Sequence, residues 1–144
     1  MTNDIETRTV VIFEDERDDV QKLTEVFRGW KTIVYSSEEE WNKVNIHIPN
    51  IVDANPDLII VDIYRYPKRD LSHREDAGWR IVKQLKRAKD LKHVPVLVFS
   101  VIFRSDEDAT TAENRAKKSG VPYLTKPKDS FPPVDVFLDR AGVT

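Results

Sequence analysis

Asn55-Pro56-Asp57-Leu58-Ile59-Ile60-Val61-Asp62 is the stretch that decides how this chain folds. Four large apolar residues stand in a row, too few for a helix and too uniform for a strand with one wet face. Such a run is expected where helices cover a strand on both sides, which is the situation in a parallel sheet. Working outward, Val10 to Phe13, Thr32 to Tyr35, Val94 to Phe99 and Val121 to Leu124 are further strand-like runs. Helical spacing lies between them. Val20, Leu23, Val26 and Phe27 form one stripe that Gly29 stops, with Asp18, Lys22 and Glu25 on the other side. Ser36 or Ser37 ahead of three glutamates starts a second helix through Trp41, Val44 and Ile48, which Pro49 is expected to break or kink. Residues 64 to 74 predict a polar loop, and helical spacing resumes at Trp79, Ile81, Val82 and Leu85 after Gly78. Asp108 to Ser119, closed by Gly120, and Val134 to Leu138 complete the helices. The expectation is an α/β fold: a five-stranded parallel sheet, doubly wound, with helices on both faces. One domain over residues 1–144 is expected, with its core at about 8 to 140 and no output domain.

Composition narrows the functional classes. Lys and Arg number 23 against 25 Asp and Glu, a net charge of −2, so no global field draws the chain to nucleic acid. Direct nucleic-acid binding and membrane insertion are not expected, since no apolar stretch approaches the length of a span. The absence of cysteine fits a reducing compartment, and a cytoplasmic location is expected. His47, His73 and His93 are scattered and show no metal-ligand spacing. The basic stretch from Lys83 to Lys92 is expected to be a solvated helix face.

In open parallel sheets, sites gather at the carboxyl ends of the strands. The first strand here ends in Glu14 and Asp15, the third in Asp62, the fourth in Ser100, and the fifth just before Lys126. Converging carboxylates repel one another, and a hard divalent cation or a lysine relieves that repulsion. Mg²⁺ suits such a set because it takes one or two carboxylates and keeps room for a phosphate oxygen. An Asp62 held ionised beside a cation and Lys126 can attack phosphorus and carry the product as an acyl phosphate. Ser100 and Lys126 would then serve the phosphoryl oxygens.

Four pieces in this order resemble the receiver family of two-component signalling: Ile12-Phe13-Glu14-Asp15-Glu16, Pro56 to Ile63, Val94 to Ser100, and Tyr123-Leu124-Thr125-Lys126-Pro127. The resemblance implies a flavodoxin-like fold acting as a stand-alone response regulator. In that reading Asp62 accepts a phosphoryl group from a histidine kinase or phosphotransfer protein, with Mg²⁺ as cofactor. Glu14, Asp15, Asp62 and the backbone carbonyl of Tyr64 would be the metal ligands. Ser100 and Tyr123 would be the switch pair, passing the change to a downstream protein through the fourth helix, fifth strand and fifth helix. A monomer or weak dimer is implied, and a phosphoacceptor rather than a turnover enzyme. The chain departs from the family at residues 64–77, which resemble an insertion, and at Val101, whose branched side chain follows the hydroxyl.

Two other readings compete. A phosphorylation-independent interaction module could keep the same architecture. An aspartate-nucleophile phosphatase of the haloacid-dehalogenase kind also attacks from a strand end, but it wants a second aspartate where this chain has Tyr64.

Overall fold

The computed structural model describes residues 7–63, 71–101 and 106–143. The strands are β1 (Thr9–Phe13), β2 (Lys31–Tyr35), β3 (Leu58–Val61), β4 (Val96–Ser100) and β5 (Tyr123–Thr125), and they form one all-parallel sheet in the order β2-β1-β3-β4-β5. The helices are α1 (Arg17–Val26), α2 (Glu38–Asn42), α3 (Val44–Ala54), α4 (Leu71–Arg87), α5 (Asp106–Ser119) and α6 (Val134–Ala141). A short 3-10 turn at Lys89–Leu91 leads from α4 toward β4.

Alternation along the strands sorts the core into two layers. Val11, Phe13, Ile59, Val61, Val96 and Val98 join residues of α3, α4 and α5 on one face of the sheet. Val10, Ile12, Leu58, Ile60, Leu97 and Phe99 join Leu23 and Phe27 of the first helical segment and Phe137 of α6 on the other. The expected doubly wound arrangement is therefore present. β3 is buried at every position, as its unbroken apolar run requires.

Local chemistry sets most of the element ends. Ser37 caps α2, accepting from the Glu40 N–H at 3.1 Å, while the Glu40 carboxylate accepts from the Ser37 N–H at 3.1 Å. Asn55 closes α3 with φ 50°, a left-handed conformation that asparagine tolerates.

Several boundaries differ from expectation. Pro49 lies inside α3 and does not end it; the interruption falls earlier, at Lys43 between α2 and α3. The bond that proline removes would have gone to the Asn45 carbonyl, and both residues are exposed, so water can satisfy that group. Residues 71–74 are helical, because their polar character is no bar to a helix when neither Gly nor Pro interrupts them. Residues 64–70 of the expected polar loop lie outside the described residues. Val121 follows α5 in the turn that closes it, its N–H donating to the Ala116 carbonyl at 3.0 Å, and β5 starts two residues later.

Gly78 does not open a helix; it sits within α4, against β3. A Cβ placed on it would lie 2.2 Å from the Ile63 Cα, one residue past Asp62. Gly→Ala inside a helix ordinarily gains about 1 kcal/mol. Here the sign should reverse: Gly78→Ala is expected to lose about 1–3 kcal/mol through overpacking, read from the urea midpoint. A gain would mean that α4 does not press on β3.

Candidate functional site

Strand parity places the charged residues. Glu14 follows Ile12, Asp62 follows Ile60, and Lys126 follows Leu124, each by two positions. All three therefore continue the α1/α6 face of the sheet at its carboxyl edge. The backbone ladder extends far enough to hold them: the Asp62 N–H donates to the Phe13 carbonyl at 2.9 Å and the Lys126 N–H to the Ser100 carbonyl at 3.0 Å.

The Lys126 ammonium is the centre of the group. Its Nζ donates to Asp62 Oδ2 at 2.8 Å, to Asp19 Oδ2 at 2.9 Å and to Glu14 Oε1. Those three bonds use its three donors. Lys126 is 2 % exposed, Asp62 4 % and Glu14 1 %. Burial opposes the charge on Lys126, but Asp62, Glu14 and Asp19 together reverse that effect and hold its pKa above the ordinary lysine value. Burial, and next the neighbouring Asp62 carboxylate, push the Glu14 carboxyl well above the usual range.

Asp15 brings a further carboxylate to the same place. Glu14, Asp15 and Asp62 each offer an oxygen, and these atoms lie within 4.8 Å of one another. Glu14 Oε2 is buried with no hydrogen-bond partner among the described residues. A buried carboxylate oxygen without a donor, beside others of its kind, fits a divalent cation held by oxygen ligands. The site could therefore hold a metal ion, as expected for Glu14, Asp15 and Asp62. The fourth expected ligand, the Tyr64 carbonyl, lies outside the described residues.

Ser100 is fully buried at the end of β4, opposite Thr125 in the β4–β5 register. Its parity continues that of Val96 and Val98, so it belongs to the other face of the sheet from Asp62, at the same edge. Tyr123 packs half-buried beside that layer. Burial, and next the neighbouring Glu113 carboxylate, raise its pKa. Its carbonyl accepts from Arg140 Nη1 at 2.8 Å.

Asp19 escapes sequence reading. It sits in the first turn of α1, where acidic residues are common for the helix dipole alone. The only signal available was its place one turn into the helix that begins just after Glu14 and Asp15.

No family model matches the sequence, and no curated protein matches it. Solved structures do match. A response regulator from Thermotoga maritima is 19% identical over 94% of this chain and 95% of its own, with a TM-score of 0.60. The signal receiver domain of a signal transduction histidine kinase from Syntrophus aciditrophicus is 20% identical over 94% and 88%, with a TM-score of 0.61. The N-terminal domain of a response regulator receiver protein from Methanoculleus marisnigri is 20% identical over 83% and 85%, with a TM-score of 0.55. The chain has the fold of response regulator receiver domains. No helix among the described residues is long and apolar enough to cross a membrane.

Removing the ammonium leaves buried carboxylates facing one another. Lys126→Met is expected to lose about 3–5 kcal/mol of stability at neutral pH in chelator, with partial recovery in millimolar Mg²⁺. The nearby Lys128→Met should stay within about 0.5 kcal/mol of wild type. Equal losses in the two variants, by urea unfolding, would contradict the central place given to Lys126.

Proposed function

We propose that this chain is a response-regulator receiver whose Asp62 accepts a phosphoryl group from a phosphohistidine on a kinase or phosphotransfer protein. The observation that carries this reading is Lys126 Nζ at 2.8 Å from Asp62 Oδ2, with Glu14 and Asp15 oxygens in the same 4.8 Å cluster. A carboxylate oxygen of Asp62 attacks phosphorus as the donor N–P bond breaks, and the electron pair leaves with the imidazole nitrogen. The product is an acyl phosphate. Bound Mg²⁺ would supply positive charge to the phosphoryl oxygens, with Glu14, Asp15 and Asp62 as its protein ligands.

The residues of the chain do the rest. Lys126 neutralises charge as it builds on the phosphoryl group, and burial strengthens that interaction by excluding water. Ser100 donates from the neighbouring strand end, and Tyr123 follows its movement as the switch. The protein acts stoichiometrically as an acceptor, with no substrate turned over beyond loss of its own phosphoryl group.

Asp19 takes a positioning role. Once Glu14 and Asp62 turn to the cation and the phosphorus, Asp19 remains as the partner that holds the Lys126 ammonium at the site. Asp19→Asn is expected to slow phosphoryl acceptance about tenfold, equivalent to about 1.4 kcal/mol in the barrier. The same variant should leave the half-saturating phosphodonor concentration in place, which separates slower chemistry from weaker binding.

Intact mass after treatment with acetyl phosphate or phosphoramidate tests the whole reading. One phosphoryl group should be added in Mg²⁺, none in chelator, and none to Asp62→Asn. Undiminished labelling of Asp62→Asn would rule the assignment out. Wild type left unlabelled by every donor, together with a partner that binds Asp62→Ala as well as wild type, would favour the interaction-module reading.

A further inference from the structure

We propose that the groove between α4 and α5 docks an acidic segment of a partner protein. The groove has a volume of about 320 Å³ and is lined by Trp79, Val82, Lys83, Lys86, Arg87, Arg115 and Ser119. Lys117 and Lys118 stand just beyond Arg115 on α5. Lys83 to Lys92 alone suggested a solvated helix face; the fold sets Arg115, Lys117 and Lys118 of a second helix beside it.

The helix dipoles account for part of this charge. Lys86, Arg87, Lys117 and Lys118 occupy the last turns of α4 and α5, where cations offset the negative ends. Each end carries roughly half a unit of charge, so the two account for about one cation. Six cations are present, and Lys83 and Arg87 are like charges one turn apart, an arrangement that destabilises an isolated helix. Three cations outside this region have carboxylate partners: Arg28 with Glu25, Lys43 with Glu39, and Lys126 with three carboxylates. Among the described residues, Lys83, Lys86, Arg87, Lys117 and Lys118 have no such partner, in a chain whose net charge is −2. A surplus of positive charge gathered around a groove attracts an anionic occupant and steers its approach.

The floor of the groove favours a peptide over a nucleic acid. Trp79 is 5 % exposed, and the Arg115 guanidinium lies over its ring at 5.1 Å, so no aromatic face is open for a base to stack upon. The lysine stems offer apolar length beneath charged tips, which suits glutamate or aspartate side chains interspersed with aliphatic ones. The cations lie in the C-terminal halves of α4 and α5, toward the edge of the sheet opposite Asp62, where helices returning from parallel strands end. Docking therefore does not depend on the phosphoacceptor.

Fluorescence anisotropy of a short fluorescein-labelled, glutamate-rich peptide carrying leucines tests this on the full chain. Binding should weaken at least tenfold in Lys83→Glu/Lys86→Glu and stay unchanged in Arg28→Glu/Lys43→Glu, with thermal midpoints confirming that both variants fold. Raising the salt should weaken binding by wild type. Asp62→Asn should bind as wild type does, so a failed phosphoacceptor and a failed docking groove give different results. Three outcomes would overturn the proposal: no binding by wild type, equal weakening in the two double variants, or tighter binding of a DNA duplex than of the peptide.

Discussion

A single buried ammonium holds the carboxyl edge of this protein together. Glu14 from the end of β1, Asp62 from the end of β3 and Asp19 from α1 all meet Lys126, which follows β5. Charges so well removed from water are unfavourable unless closely paired, and the pairing here spans elements from both ends of the chain. The lysine therefore joins α1 and three strands at one point. Its surroundings remain unbalanced, since Asp15 adds another carboxylate to the cluster. Burial, and next the Asp62 carboxylate, push the Glu14 carboxyl toward the protonated form. An arrangement short of positive charge, with a buried oxygen lacking a donor, could hold a cation.

The scaffold beneath that edge is built to resist movement. Phe13 and Val61 are registered neighbours directly below Glu14 and Asp62, and Gly78 lets α4 lie on the backbone of Ile63 with no side chain between them. On the opposite face Phe27, Phe99 and Phe137 make a tilted and edge-to-face aromatic cluster under the lysine, with Lys126 Nζ 5.8 Å from the Phe99 ring centre. Rigid support of this kind fixes side-chain positions more tightly than loops alone. The apolar layers thus serve the charged edge as well as the stability of the fold.

Much of the architecture was legible in the chain because strands buried on both sides leave an unmistakable run of apolar residues. Leu58 to Val61 and Val10 to Phe13 are such runs, and their charged endings marked the edge where Glu14, Asp15 and Asp62 would meet. The ends of elements were harder to read. Pro49 was expected to break or kink a helix and does not break it, since an exposed carbonyl one turn back can bond to water instead. Val121 was expected in a strand and instead completes the turn closing α5, because an apolar residue after a helix-ending glycine serves either purpose.

Composition and pattern alone determined the layer order, the parallel sheet and the acidic, hydroxyl and amine residues at its edge, because periodicity and burial are properties of single segments. Tertiary structure decided what those segments share. The choice of Asp19 as a partner of Lys126, the pressing of Gly78 on Ile63 and the gathering of cations from α4 and α5 around one groove all join residues distant along the chain. Such distances are set only when helices pack on the sheet, and no local pattern carries them.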